Sequence, residues 1–256
     1  MAGKTIPGAL ALAVVGTLTS AAFTGQAYAQ DDMALEFTPV EMMACSFKED
    51  KTWDDLNELT EAFNKWLRKN DKDYTYWTFA PVFREDNELD FAWIGGWTSG
   101  AMFGKSWDNW FDDDDDVGKL FNETADCVNS MASVTTVRAP ADGWPEAGVT
   151  WFSRCTLEEG ASLRDAASAH GALGSAMAEM GSPAATWLFL PALGFGDVEF
   201  DYYHVESWDD FVTLGAGFDA YFNQGGWMKA NELMDGVTQC ASPNLYRYQL
   251  RREGDR

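Results

Sequence analysis

The residues of this 256-residue chain with types and spacing suited to chemistry are two histidines, a few acids beside them, four cysteines and one aspartate run. His204 stands in Asp201-Tyr202-Tyr203-His204-Val205-Glu206-Ser207-Trp208. Side chains alternate along a strand, so Tyr202, His204 and Glu206 would share a face. An imidazole, a phenol and a carboxylate converging there could position a proton or bind a metal or haem. The plainer reading is a core or rim histidine bonded to Glu206 or to backbone. His170 falls on the apolar stripe of Leu163, Ala166, Leu173 and Met177, where a satisfied interior histidine is again the plainer reading. Trp77, Phe79, Trp93, Trp187 and Phe189 would fill a core. With His170 they are also the candidates for lining a site for a small apolar ligand.

Asp112 to Asp116 offers oxygen ligands for a surface calcium ion through Asp112, Asp114 and Asp116. The run lacks the alternating ligands and central glycine of an EF-hand loop, so the default is a solvated, self-repelling loop and no metal centre is expected. Cys45, Cys127, Cys155 and Cys240 contain no Cys-x-x-Cys spacing, which argues against thiol-disulfide catalysis. Their scatter argues against zinc, and no cofactor follows from these residues. Two structural disulfides are expected, with three possible connectivities.

The compartment agrees with disulfides. A single early charge, Lys4, precedes an apolar run from Ala9 to Val15 and small residues ending Ala27-Tyr28-Ala29, which is the pattern of a signal peptide over 1–29. Gly16, Thr17, Thr19 and Ser20 break the run well short of the ~20 apolar residues of a membrane span. The expected protein is therefore secreted or periplasmic, with no membrane span after cleavage. The formal charge is −23, and loss of Lys4 makes it one unit more negative. Such a surplus repels nucleic acid and anionic membrane.

Cys45-Ser46-Phe47, Trp77-Thr78-Phe79-Ala80-Pro81, Asp90 to Trp97 and Cys127 return in order as Cys155-Thr156-Leu157, Trp187-Leu188-Phe189-Leu190-Pro191, Asp201 to Trp208 and Cys240. The offset is nearly constant, so the chain reads as a duplication. Capping-box patterns, Thr52-x-x-Asp55 and Ser162-x-x-Asp165, open matching amphipathic helices. Each copy has the order β-α-β-β-α-β, which is ferredoxin-like. The first module is placed at 30–139, a linker at 140–147 and the second module at 148–256. Final strands are expected over Ala132 to Arg138 and Leu245 to Arg251. In this fold order the first strand and the second helix end at the same edge of a module, which selects Cys45–Cys127 and Cys155–Cys240.

Two such modules, with an aromatic strand running into Glu206-Ser207-Trp208-Asp209-Asp210-Phe211, resemble the dimeric α/β-barrel superfamily, including antibiotic-biosynthesis-type monooxygenases and NIPSNAP-like proteins. The resemblance implies an α+β fold of two tandem ferredoxin-like modules packed as an intramolecular dimeric α/β barrel. Some members are cofactor-free oxygenases and others bind or degrade haem between helix and sheet. Here only His170 and His204 could supply an imidazole, since Thr60 and Trp93 occupy the aligned places of the first copy. The leading expectation is an exported module that binds a small apolar or aromatic molecule, or a protein partner. The alternatives are a cofactor-independent or haem-linked oxidoreductase using Tyr202, His204 and Glu206, and a disulfide-stabilised surface protein.

Overall fold

The computed structural model describes residues 35–85, 89–112, 116–140, 143 and 145–255, so the expected signal peptide over 1–29 lies outside the described residues. The first half contains β1 (Thr38–Phe47), α1 (Trp53–Asn70), β2 (Thr75–Phe83), β3 (Phe91–Gly96), α2 (Gly100–Asp112), α3 (Asp116–Thr124) and β4 (Ala125–Arg138). The second contains β5 (Ala147–Leu157), α4 (Leu163–Glu179), β6 (Ala185–Leu193), β7 (Tyr202–Trp208) and α5 (Phe211–Phe218). A π-helical turn (Asp219–Asn223), α6 (Gly226–Met234), β8 (Thr238–Cys240) and β9 (Asn244–Arg252) complete it.

Both capping boxes form. Thr52 accepts from the backbone of the first turn while the Asp55 carboxylate accepts from the Thr52 N–H at 2.9 Å. Ser162 and Asp165 do the same at 2.8 Å. These reciprocal bonds satisfy donors that a helix start otherwise leaves open, and they fix where α1 and α4 leave the preceding strand.

Every strand pair is antiparallel. Within the first half the order is β4-β1-β3-β2, and within the second it is β9-β5-β7-β6, with β8 beside β5. The halves close on each other twice. β2 pairs with β9 and β4 pairs with β6, giving a ring of eight strands. This is the α+β dimeric α/β-barrel architecture, built within one chain. Side chains therefore fall into an inner set within the ring and an outer set beneath the helices. Phe79, Ile94, Val134, Trp187, Phe189 and Val205 belong to the inner core. Leu56, Phe63, Trp66, Phe91 and Trp93 pack beneath the first-half helices, and Ala166, Ala167, Leu188 and Tyr202 beneath α4.

The disulfides are Cys45–Cys127 and Cys155–Cys240. The expected pairing holds, but the setting differs from the end of a second helix. β4 begins at Ala125 rather than Ala132, so Cys127 stands directly opposite Cys45 across two strands. Cys240 likewise stands opposite Cys155, on β8. The helical periodicity fails early there because α3 ends at Thr124, and the chain enters the sheet at once.

Replacing Cys155 and Cys240 together by alanine should lower the unfolding free energy by about 4 kcal/mol in the chain-entropy model. Urea titration of oxidised wild type and the double variant measures this; equal midpoints would mean that the staple does not constrain the unfolded chain.

Candidate functional site

Beneath α4 the two imidazoles meet. His170 and His204 stack with ring centroids 3.8 Å apart, both buried. His170 Nε2 lies 3.0 Å from the Tyr202 hydroxyl, which donates to Thr238 Oγ1 at 2.8 Å, and Thr238 donates in turn to the Thr156 carbonyl. His204 Nε2 is 3.8 Å from Glu206 Oε1, too far for a hydrogen bond. His204 Nε2, His170 Nδ1 and Thr186 Oγ1 are buried without partners. Burial pushes the His170 pKa down to about 4. Burial and then the neighbouring His170 hold His204 well below the ordinary range. The pair is neutral at physiological pH. Tyr202, His204 and Glu206 share the outer face of β7 as the alternation requires, and His170 is brought to them by α4.

Trp77, Phe79, Trp187 and Phe189 point the other way, into the ring. There they line a cavity of about 600 Å³ together with Ile94, Val134, Phe152 and Tyr248. Phe152 sets the floor. Its ring makes edge-to-face contacts with Phe79, Phe189, Tyr203 and Tyr246 at centroid distances of 6.1, 5.8, 6.2 and 5.8 Å. The mouth carries Asp73, Thr98, Pro140, Pro145, Pro183 and Asp209. Among the described residues no Lys, Arg or His lines the lumen.

Trp93, the remaining aromatic candidate, belongs to a different cavity. Between the first-half helices and the outer face of the sheet lies a space of about 610 Å³, walled by Phe63, Trp66, Trp93, Trp107, Trp110 and Phe121. At its base is Glu41, on β1 and buried. The Tyr74 hydroxyl donates to Glu41 and accepts from Trp93 Nε1 at 3.0 Å. Burial pushes the Glu41 pKa up to about 7, against the opposing pull of the Tyr74 hydrogen bond, and Asp71 adds to the rise. Gly95 is essential to this geometry, because a Cβ there would lie 1.9 Å from the Tyr74 hydroxyl oxygen.

The duplication explains the arrangement. Glu41 is opposite Gly95 in the β1–β3 register, and Trp151 is opposite Glu206 in β5–β7. Each half thus buries one carboxyl at the same place on its sheet, from opposite strands. Burial also pushes Glu206 up, to about 8, with Arg138 pulling the other way. Glu41 was not among the residues that sequence reasoning selected. The signal was present: Glu41 alternates with Met43 and Cys45 on one face of an otherwise apolar strand, an acid where period two demands the interior. The cavity opens in the first half because of helix composition. α1 presents Phe63 and Trp66 to the sheet, while α4 presents Ala166, Ala167, Ala169 and Gly174.

Asp112 is the last residue of α2 and Asp116 the first of α3, and Asp116 pairs with Lys119 at 3.0 Å on the surface. Asp114 lies outside the described residues. Among the described residues the grouping of metal-ligand type is Cys155, His170 and Cys240, whose sulfurs are consumed by the disulfide. No helix among them is long and apolar enough to cross a membrane.

Neither a family model nor a curated relative matches the chain. Solved structures do. A provisionally named chlorite dismutase superposes with a TM-score of 0.53 at 8% identity, covering 84% of this chain and 95% of its own. A provisionally named monooxygenase from Fusobacterium nucleatum gives 0.51 at 12% identity, covering 85% and 95%. A dye-decolorizing peroxidase from Bacteroides thetaiotaomicron gives 0.50 at 7% identity, covering 84% and 94%. At such identities the likeness is one of fold, that of the dimeric α/β barrel. The haem that some such proteins carry does not fit the residues present. Both imidazoles face each other under α4 and line neither cavity, and among the described residues neither cavity is lined by a cation for a propionate.

The buried groups set a pH dependence. The histidine pKa values are depressed on folding, so their contribution is present above the ordinary 6.5 and is lost as pH falls toward 4. The carboxyl values are raised from the ordinary 4.5, so their contribution is present below it and is lost as pH rises through about 7 and 8. Between pH 6.5 and 8.5, above the histidines and below the ordinary range of the buried tyrosines, the glutamates dominate. The melting temperature should therefore fall between pH 6.5 and 8.5, and joint replacement of Glu41 and Glu206 by glutamine should flatten that slope. Over the whole span from the ordinary to the raised values each group accounts for on the order of 3 kcal/mol, and the window from pH 6.5 to 8.5 reads the upper part of that span. Calorimetry across the range is the check, and an unchanged slope in the variant would refute the assignment.

Proposed function

We propose that the chain is an exported binding protein that holds one small, uncharged, apolar or aromatic molecule in the barrel lumen. The observation that carries this reading is the aromatic lumen of about 600 Å³, floored by Phe152 and open at Asp73 and Asp209. Ligand sites typically occupy ~300–1,000 Å³ and are lined by apolar and aromatic side chains with few polar groups. With acids at the mouth and no cation inside, anions are repelled. The two disulfides and the leader pattern support an oxidising compartment outside the cytoplasm.

A second reading, an oxidoreductase, is favoured by the His170–His204–Tyr202 cluster and by the activities named for the chlorite dismutase, monooxygenase and peroxidase neighbours. It requires that the imidazoles be reached by a substrate or by haem. The residues described above give it a cofactor-independent form more readily than a haem-linked one.

N-phenyl-1-naphthylamine, a neutral fluorophore, should bind with a blue-shifted emission. Thr136→Trp, which fills the exposed upper wall of the lumen, should weaken it by about tenfold or more without altering the far-UV spectrum. Equal affinity in the variant would remove the lumen as the site. Haem titration should leave the Soret band of free haem unshifted; a sharpened, shifted band that is lost in His170→Ala would replace the binding reading with the oxidoreductase one.

A further inference from the structure

The cavity under the first-half helices is chemically unlike the lumen, and its walls define a different ligand. Trp66, Trp93, Trp107 and Trp110 surround it with Phe63 and Phe121. The rings are held at fixed angles: Trp66 and Trp110 meet edge to face at 5.2 Å, Phe63 and Trp93 at 5.3 Å, and Trp93 and Phe121 at 5.7 Å. Tyr76 stacks behind Trp93 at 4.2 Å, outside the lining residues, which keeps the indole face in place. Aromatic faces carry negative quadrupole potential, and several faces around one space attract an organic cation, tryptophan most strongly.

The charges agree. Glu41 lines the base of the cavity, and among the described residues its hydrogen bond is the one donated by Tyr74 to Oε1. Asp126, also in the lining, is engaged with Lys48. Among the described residues no Lys, Arg or His lines the space. A buried carboxylate without a cationic partner is costly, whereas one facing a desolvated cation gains a charge-assisted contact. An uncharged apolar guest would leave that carboxyl unmatched, and an anionic one would be repelled.

We propose that this first-half cavity binds an organic ammonium ion, a quaternary or protonated amine with alkyl or aromatic substituents, with its charge on Glu41 and its substituents against the tryptophans. The cavity lies on the outer face of the sheet and the lumen on the inner face, with Trp97 at the edge lining both, and the site does not depend on the lumen being occupied.

The test uses the full exported chain, benzyltrimethylammonium and its neutral isostere neopentylbenzene, with tryptophan fluorescence and calorimetry as readouts. The cation should bind and quench tryptophan emission, and the isostere should bind about tenfold or more weakly. Glu41→Gln should reduce cation affinity by about tenfold, and Trp110→Leu by several-fold, while neither changes the cation-independent binding of N-phenyl-1-naphthylamine in the lumen. Equal binding of cation and isostere, no cation binding at millimolar concentration, or unchanged affinity in folded Glu41→Gln would each overturn the proposal. Should Glu41→Gln fail to fold, unchanged cation affinity in Trp110→Leu overturns it. Competition between benzyltrimethylammonium and N-phenyl-1-naphthylamine would show a single shared site and overturn it as well.

Discussion

The structure depends on the two seams by which each half closes the other. An isolated four-stranded ferredoxin-like sheet presents unpaired backbone along both outer strands, and exposed edges of that kind invite aggregation. Here β2 of the first half pairs with β9 of the second, and β6 of the second pairs with β4 of the first. Closure removes the edges and at once creates an interior that neither half has alone. The inner aromatic core exists only because strands from both halves contribute to it. Arg252 strengthens one seam by donating to the carbonyls of Asp71 and Tyr74 at 3.1 and 2.8 Å, and the Gly254 N–H donates to Thr75 Oγ1 at 2.9 Å.

Much of this was legible in the sequence, because it follows from short-range periodicity applied twice. The alternation that puts Tyr202, His204 and Glu206 on one face, the capping boxes and the cysteine order all rest on local rules that the tertiary fold obeys. The register confirms the alignment of the copies: Met43 is opposite Trp93, and Ser153 is opposite His204. The cavities were less legible. Whether a helix lies close to its sheet depends on the summed volume of side chains from several elements, and no local pattern reports that sum. Trp93 and Trp77 look alike in sequence, yet one lies under helices and the other faces the lumen, a distinction set by parity along the strand and by which face the helices cover.

The two halves carry the same physical elements on different strands. A carboxyl sits at one position of each outer sheet face, but Glu41 comes from the first strand and Glu206 from the third. In the first half the opposing position is Gly95, and a tyrosine ring occupies the room left by its missing side chain. In the second, Trp151 opposes Glu206 and the imidazole pair fills the layer. The two halves therefore keep one backbone while presenting different chemistry, a cage of indoles with an acid in one and a closed imidazole stack in the other.

Both disulfides lie within a half, and neither crosses a seam. Covalently, then, the halves are joined by residues 139–146 alone, while all the strand pairing between them is hydrogen-bonded. Each disulfide acts within one half, and the lumen, lined from both halves, rests on the hydrogen-bonded seams rather than on any covalent staple.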